Sequence, residues 1–102
     1  MGTRIELHEE LCDILGSRNA YFQPPENIKI NYPCVVYLLK DMRLIYADDY
    51  PYKANKAYEV TIIDENPDSD ICERMLMHFP MTNFNRFYTS DDLNHWNITI
   101  YY

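Results

Sequence analysis

Glycine is nearly missing from this chain: two residues, Gly2 and Gly16, in 102. No glycine-rich loop is available to cradle a phosphate, which excludes P-loop and dinucleotide-binding chemistry. Positive charge is scarce too. Nine lysines and arginines, scattered along the chain, face sixteen carboxylates, for a formal net charge of −7. DNA affinity comes mostly from cations that neutralise phosphates, so a free monomer is not expected to hold nucleic acid tightly. No CxxC pair occurs, which excludes a zinc ribbon or a thioredoxin-type centre. The three cysteines, Cys12, Cys34 and Cys72, lie far apart among apolar neighbours and read as reduced core thiols. No segment approaches the roughly 20 apolar residues of a membrane helix. Met1–Glu6 has no apolar run of the signal-peptide kind, and Leu7 stands where a myristoylation signal wants Ser or Thr. The expectation is a chain without a membrane segment, assembled in a reducing cytoplasm.

What is present suits one globular domain over residues 1–102, with 47% hydrophobic residues. Thr3-Arg4-Ile5-Glu6 forms a capping box, Ile5, Leu11, Cys12 and Leu15 recur at helical spacing, and Gly16 supplies a left-handed stop. A helix over residues 4–15 follows, its acidic residues Glu6, Glu9, Glu10 and Asp13 facing solvent. Residues 17–32 read as a linker around Pro24-Pro25, anchored by Tyr21-Phe22, with an edge strand at Ile28–Ile30. Pro33 opens the strand Cys34–Leu39, whose unbroken apolar run predicts a central position with both faces covered. Arg43–Tyr46 is a weaker strand or extended segment, and Ala47–Tyr52 a turn-rich loop. Residues 56–64 alternate, with Tyr58, Val60 and Ile62 on one face and Glu59 and Thr61 on the other. Asn66-Pro67-Asp68-Ser69-Asp70 announces a second helix, with proline near its first turn and carboxylates at the positive end of its dipole. Ile71, Cys72, Met75, Leu76 and Phe79 form its buried stripe, and Pro80 ends it. Strands at Met81–Thr89 and His95–Tyr102, joined by a turn at Ser90–Asn94, complete the order α-β-β-β-α-β-β. The fold class is α+β: an antiparallel or mixed sheet with two helices packed against it.

Chemistry-bearing constellations are sparse. His8 and His78 read as surface residues of the two helices, and no histidine has a partner at metal-ligand spacing. His95, near Asp91 and Asp92, is the best candidate for a small hydrolase, but no nucleophile signature surrounds it. The acidic stretch Asp64–Asp70 lacks the glycine and closing glutamate of a calcium loop. No catalytic residue, cofactor or metal is assigned, and the chain is read as a non-enzyme. Ten tyrosines are a richer signal. Tyrosine packs like a hydrophobe yet keeps a hydrogen-bonding tip, so it covers thin cores and is enriched where proteins meet.

Three stretches carry a family likeness. They are Tyr32–Tyr37; Tyr46–Tyr52 leading into Tyr58–Asp64 and Pro67-Asp68-Ser69; and Phe84–His95. In these the chain, over residues 32–102, resembles the tail-completion or tail-terminator (head–tail joining) proteins of long-tailed bacteriophages. The resemblance implies a structural virion protein: a homo-oligomeric ring, generally of six copies, that caps the tail tube, ends its polymerisation and offers a docking surface to the head connector. The implied partners are the tail tube protein and the head connector or stopper protein. The implied location is the tail or head–tail joint of a virion assembled in a bacterial cytoplasm. DNA would pass nearby without tight binding, repelled by the acidic residues. A head-side stopper, or an acidic phage-encoded regulator that binds a host protein, are the alternatives. Candidate contact residues are Asp48, Asp49, Tyr50 and Tyr52 in the central loop, Tyr88, Asp91, Asp92, Asn94, His95 and Trp96 around the last turn, and Tyr101 and Tyr102. The terminal strand is expected to offer an exposed edge to a neighbour.

Overall fold

A computed structural model describes residues 3–24, 32–47 and 50–102, with side chains described outside 43–55. The expected edge strand at Ile28–Ile30 lies outside the described residues, as do the candidate contacts Asp48 and Asp49. The elements are α1 (Arg4–Leu15), β1 (Ala20–Phe22), β2 (Cys34–Ala47), β3 (Tyr50–Asp64), α2 (Ile71–His78), β4 (Thr82–Ser90) and β5 (Leu93–Tyr101). The order is α-β-β-β-α-β-β and the class α+β, with one five-stranded mixed sheet ordered β1-β2-β3-β5-β4. Among the described residues only the β1–β2 pairing is parallel.

Helix α1 forms for the reasons its sequence suggests. The Thr3 hydroxyl accepts from the Glu6 N–H at 3.2 Å, and the Thr3 N–H donates back to the Glu6 carboxylate. Gly16 closes the helix at φ +80° and donates its N–H to the Cys12 carbonyl at 2.9 Å. The buried stripe differs from the expected one: Leu7, Leu11, Cys12 and Leu15 pack inward, while Ile5 is 64% exposed. Leu7, Leu11 and Leu15 are spaced i, i+4, i+8 and share a face; Ile5 sits at its margin on the first turn. Helix α2 starts at Ile71, later than the proline suggested. Pro67 and Asp68 sit in a turn, stapled by the Asp64 side chain accepting from the Asn66 N–H at 3.1 Å and the Asn66 side chain accepting from the Asp68 N–H at 3.0 Å. Asx turns of this kind compete with a helical start.

The core lies between the helices and one face of the sheet. Val35 and Tyr37 of β2, Tyr58, Val60 and Ile62 of β3, and Ile98 and Ile100 of β5 point at Leu7, Leu11, Met75 and Phe79. Cross-strand register makes this one continuous surface, since Val35 pairs with Ile62, Tyr37 with Val60, and Val60 with Ile98. The middle strand is β3, flanked by β2 and β5. Strand β2 is interior, as expected of Cys34–Leu39, with β1 on one side of Val35–Tyr37 and β3 on the other. Leu38 and Leu39 remain 39% and 38% exposed. A continuous apolar run here does not mean two covered faces, because both helices occupy the same side.

Two expectations in the middle of the chain need correction. Arg43–Tyr46 is no separate strand but the continuation of β2, and Ala47–Tyr52 is no extended loop, since Ala47 pairs with Tyr50 and Tyr46 with Pro51. Strand β5 stops pairing with β3 at Ala57, whereas β2 and β3 run on together from Asp41–Ala57 to Ala47–Tyr50. The result is a two-stranded ribbon that leaves the sheet for about 20 Å, at the usual rise of ~3.3 Å per residue. The long axis of the molecule reaches 51 Å, against 27 and 23 Å for the other two.

Candidate interaction surfaces

The backbone edges identify where other molecules can join. Strand β5 lies between β3 and β4, so both of its edges are used and it offers no edge to a neighbour. This corrects the expectation for the terminal strand. The outer strands are β1 and β4; β4 is much the longer, and its described outer side has no partner strand. Phe84 and Phe87 pair with Ile98 and Trp96, on the helix side of the sheet, yet stay 51% and 47% exposed. An open edge beside exposed aromatics is a ready template for another strand. Phe84 and Phe87 were not singled out in the sequence because the run Asn83–Tyr88 breaks alternation. A register shift between Phe84 and Arg86 explains this: Asn85 is an extra residue in the bulge, so both phenylalanines reach the same face.

The bulge has a second effect. Asn85 donates to the Asn97 side-chain oxygen and to the Thr99 hydroxyl, both at 2.9 Å, and Asn97 donates to the Thr61 hydroxyl at 3.0 Å. This polar row runs across β4, β5 and β3 on the face away from the helices. Asn97 and Thr99 are 4% and 3% exposed, and their polar groups are paired.

The candidate contact residues separate into three groups. Tyr88, His95, Asp91 and Asp92 come together at the β4–β5 hairpin. The Tyr88 and His95 rings stack at 4.7 Å, and Arg86 lies 5.0 Å above the Tyr88 ring. Asp91 and Asp92 form the two-residue tip, both left-handed at φ +54° and +62°, a conformation aspartate tolerates better than most residues. Their tip is tighter than the Ser90–Asn94 turn expected. Asn94, Trp96 and Tyr102 instead hold the domain together. The Asn94 amide donates to the Asp64 and Glu65 carbonyls at 3.2 and 3.3 Å. Trp96 packs against Phe87 on the helix side, with ring centroids 5.3 Å apart. The Tyr102 hydroxyl donates to Glu10, whose other carboxylate oxygen lies 3.0 Å from His78 Nε2. Tyr101 stands apart, at the root of the ribbon, beside a cleft of about 520 Å³ that Lys40, Asp41, Met81 and Asn83 also line. The backbones of Tyr50 and Tyr52 belong to the ribbon; their side chains lie outside the described set.

The Glu10 contacts correct the picture of a fully solvated acidic face on α1. Glu10 is half-buried and joins α1, α2 and the end of β5. Burial alone would raise its carboxyl, but hydrogen bonds from Tyr102 and His78 outweigh it and hold the group below its ordinary value. The same hydrogen bond, with burial, pushes the Tyr102 phenol up to about 12. His8 is also more than a surface residue. Its Nδ1 lies 2.7 Å from the buried Tyr37 hydroxyl, and burial lowers its pKa.

Catalytic geometry does not gather around His95. Its Nδ1 lies 3.2 Å from the Leu93 carbonyl, and neither Asp91 nor Asp92 contacts the ring among the described residues. Buried Cys34 and Cys72 have thiols raised by burial to about 12 and about 11. Such thiols are poor nucleophiles at neutral pH. Among the described residues no group of three His, Cys, Asp or Glu side chains is disposed to hold a metal. No described helix is long and apolar enough to cross a membrane.

Charge is distributed less evenly than its scatter along the sequence suggests. Residues 40–57, the ribbon and its root, contain Lys40, Arg43, Lys53 and Lys56 against three carboxylates, while the rest of the chain has five cations against thirteen. The sheet end opposite the ribbon is acidic. Asp64, Glu65, Asp68 and Asp70 follow β3 there, and Asp91 and Asp92 close the neighbouring hairpin. The molecule thus has a nearly charge-balanced projection at one end of its sheet and a carboxylate-rich end at the other. Compared with protein-family models, curated proteins and solved structures, the chain matches none of them.

Proposed function

We propose that this protein is a structural component of a long-tailed phage, a ring of six copies at the head–tail joint that caps the tail tube and ends its polymerisation. The observation that carries the reading is the pairing, in one small domain, of a projecting two-stranded ribbon with an open strand edge two strands away from its base. A head-to-tail contact between two different surfaces of identical subunits closes into a ring when the rotation between them closes. The likeness of Tyr32–Tyr37, of Tyr46–Tyr52 with Tyr58–Asp64 and Pro67-Asp68-Ser69, and of Phe84–His95 to tail-completion proteins supports the same reading. The job is geometric, and no bond is made or broken. The ring offers one surface to the tail tube protein and another to the head connector. The excess of carboxylates over cations outside the ribbon keeps passing DNA from adhering.

Electron micrographs of particles produced without this protein test the proposal. Tails of abnormal length are expected. Normal free tails beside leaking heads would instead assign the chain to the head side of the joint, as a stopper. A regulator that binds a basic host surface draws on the acidic end at Asp64–Asp70 and Asp91-Asp92. It predicts a chain absent from purified mature particles, whereas a ring component must be present in them.

A further inference from the structure

We draw no further inference here: the strongest candidate, the outer edge of β4 with the half-exposed Phe84 and Phe87 beside it, is an unpartnered surface patch, and nothing in the structure shows what covers it.

Discussion

Strands β2 and β3 live in two environments along their length. From Cys34 to Leu39 and from Tyr58 to Ile63 they pair inside the sheet, with β5 on the far side of β3 and two helices above. From Met42–Lys56 to Ala47–Tyr50 the same two strands pair with each other beyond the end of β5, whose last bond there runs from the Tyr102 N–H to the Lys56 carbonyl. The hydrogen-bond ladder continues almost unchanged across the boundary, while on the β2 side Leu38 to Met42 are already exposed. Hydrogen bonds exchanged for water contribute little net stability compared with apolar burial. The ladder by itself therefore explains register, while the core explains why the strands stay folded.

The strongest test of that contrast sets one substitution in each environment. Ile62→Ala removes a fully buried side chain at the centre of the core and is expected to cost about 2–5 kcal/mol in urea unfolding. Met42→Ala, at the 49% exposed base of the ribbon, is expected to change stability by less than about 0.5 kcal/mol. Equal losses would mean that the ribbon belongs to the same packed unit. Hydrogen exchange sharpens the boundary residue by residue. Amides of Tyr58–Ile63 should open only with global unfolding, and those of Arg43–Tyr46 and Lys53–Asn55 at roughly half that free energy or less. In the assembled form the ribbon amides should gain protection while the core amides stay as they were.

A smaller effect separates the regions by pH. The body is tied across α1, α2 and β5 by Glu10, His78 and Tyr102, and the ribbon takes no part in that tie. The Glu10 carboxyl is lowered from its ordinary 4.5 in the fold, so its contribution is present above that value and lost as pH falls through the folded pKa. The Tyr102 phenol moves the other way, from 10 to about 12, so its contribution holds below pH 10 and is lost as pH rises toward 12. Tyr102→Phe should remove about 1 kcal/mol at neutral pH and abolish the alkaline decline assigned to this phenol. Unfolding midpoints measured from pH 3 to 12 check both limbs, and an unchanged alkaline limb in the variant would refute the assignment.

Much of this fold is legible in the sequence because its signals are local. The Thr3–Glu6 capping box, the Gly16 stop and the alternation of Tyr58, Val60 and Ile62 each depend on a few neighbouring residues, and each appears in the structure as read. The errors come where distant chain segments decide. Cys34–Leu39 looks covered on both faces because apolar runs usually are, but both helices pack on one side of the sheet and leave Leu38 and Leu39 partly exposed. Ala47–Tyr52 looks like a loop because Pro51 and paired aspartates favour turns, yet Pro51 is carried at a register shift in the ribbon. Glu10 looks solvated because its partners, His78 and Tyr102, lie 68 and 92 residues away. The interaction surfaces were the least legible part. Phe84 and Phe87 share a face only through the bulge at Asn85, and residues 41–57 form one projecting ribbon only through the long-range register of β2 with β3.

The smallest expected effect concerns the other hairpin, the one inside the body. Asp92 holds φ +62° at the tip between β4 and β5, where glycine would carry no Cβ penalty. Asp92→Gly should therefore change stability by less than about 1 kcal/mol, in the stabilising direction, because relief of the left-handed conformation outweighs the added freedom of the unfolded chain. If the tip is a docking point for a neighbour's cations, the same substitution weakens self-association while it strengthens the fold. These two readouts move in opposite directions only where a residue serves a partner at the expense of its own chain. Thermal unfolding and sedimentation on one preparation of Asp92→Gly supply both. A variant that folds better and associates equally well would mark the hairpin as merely structural.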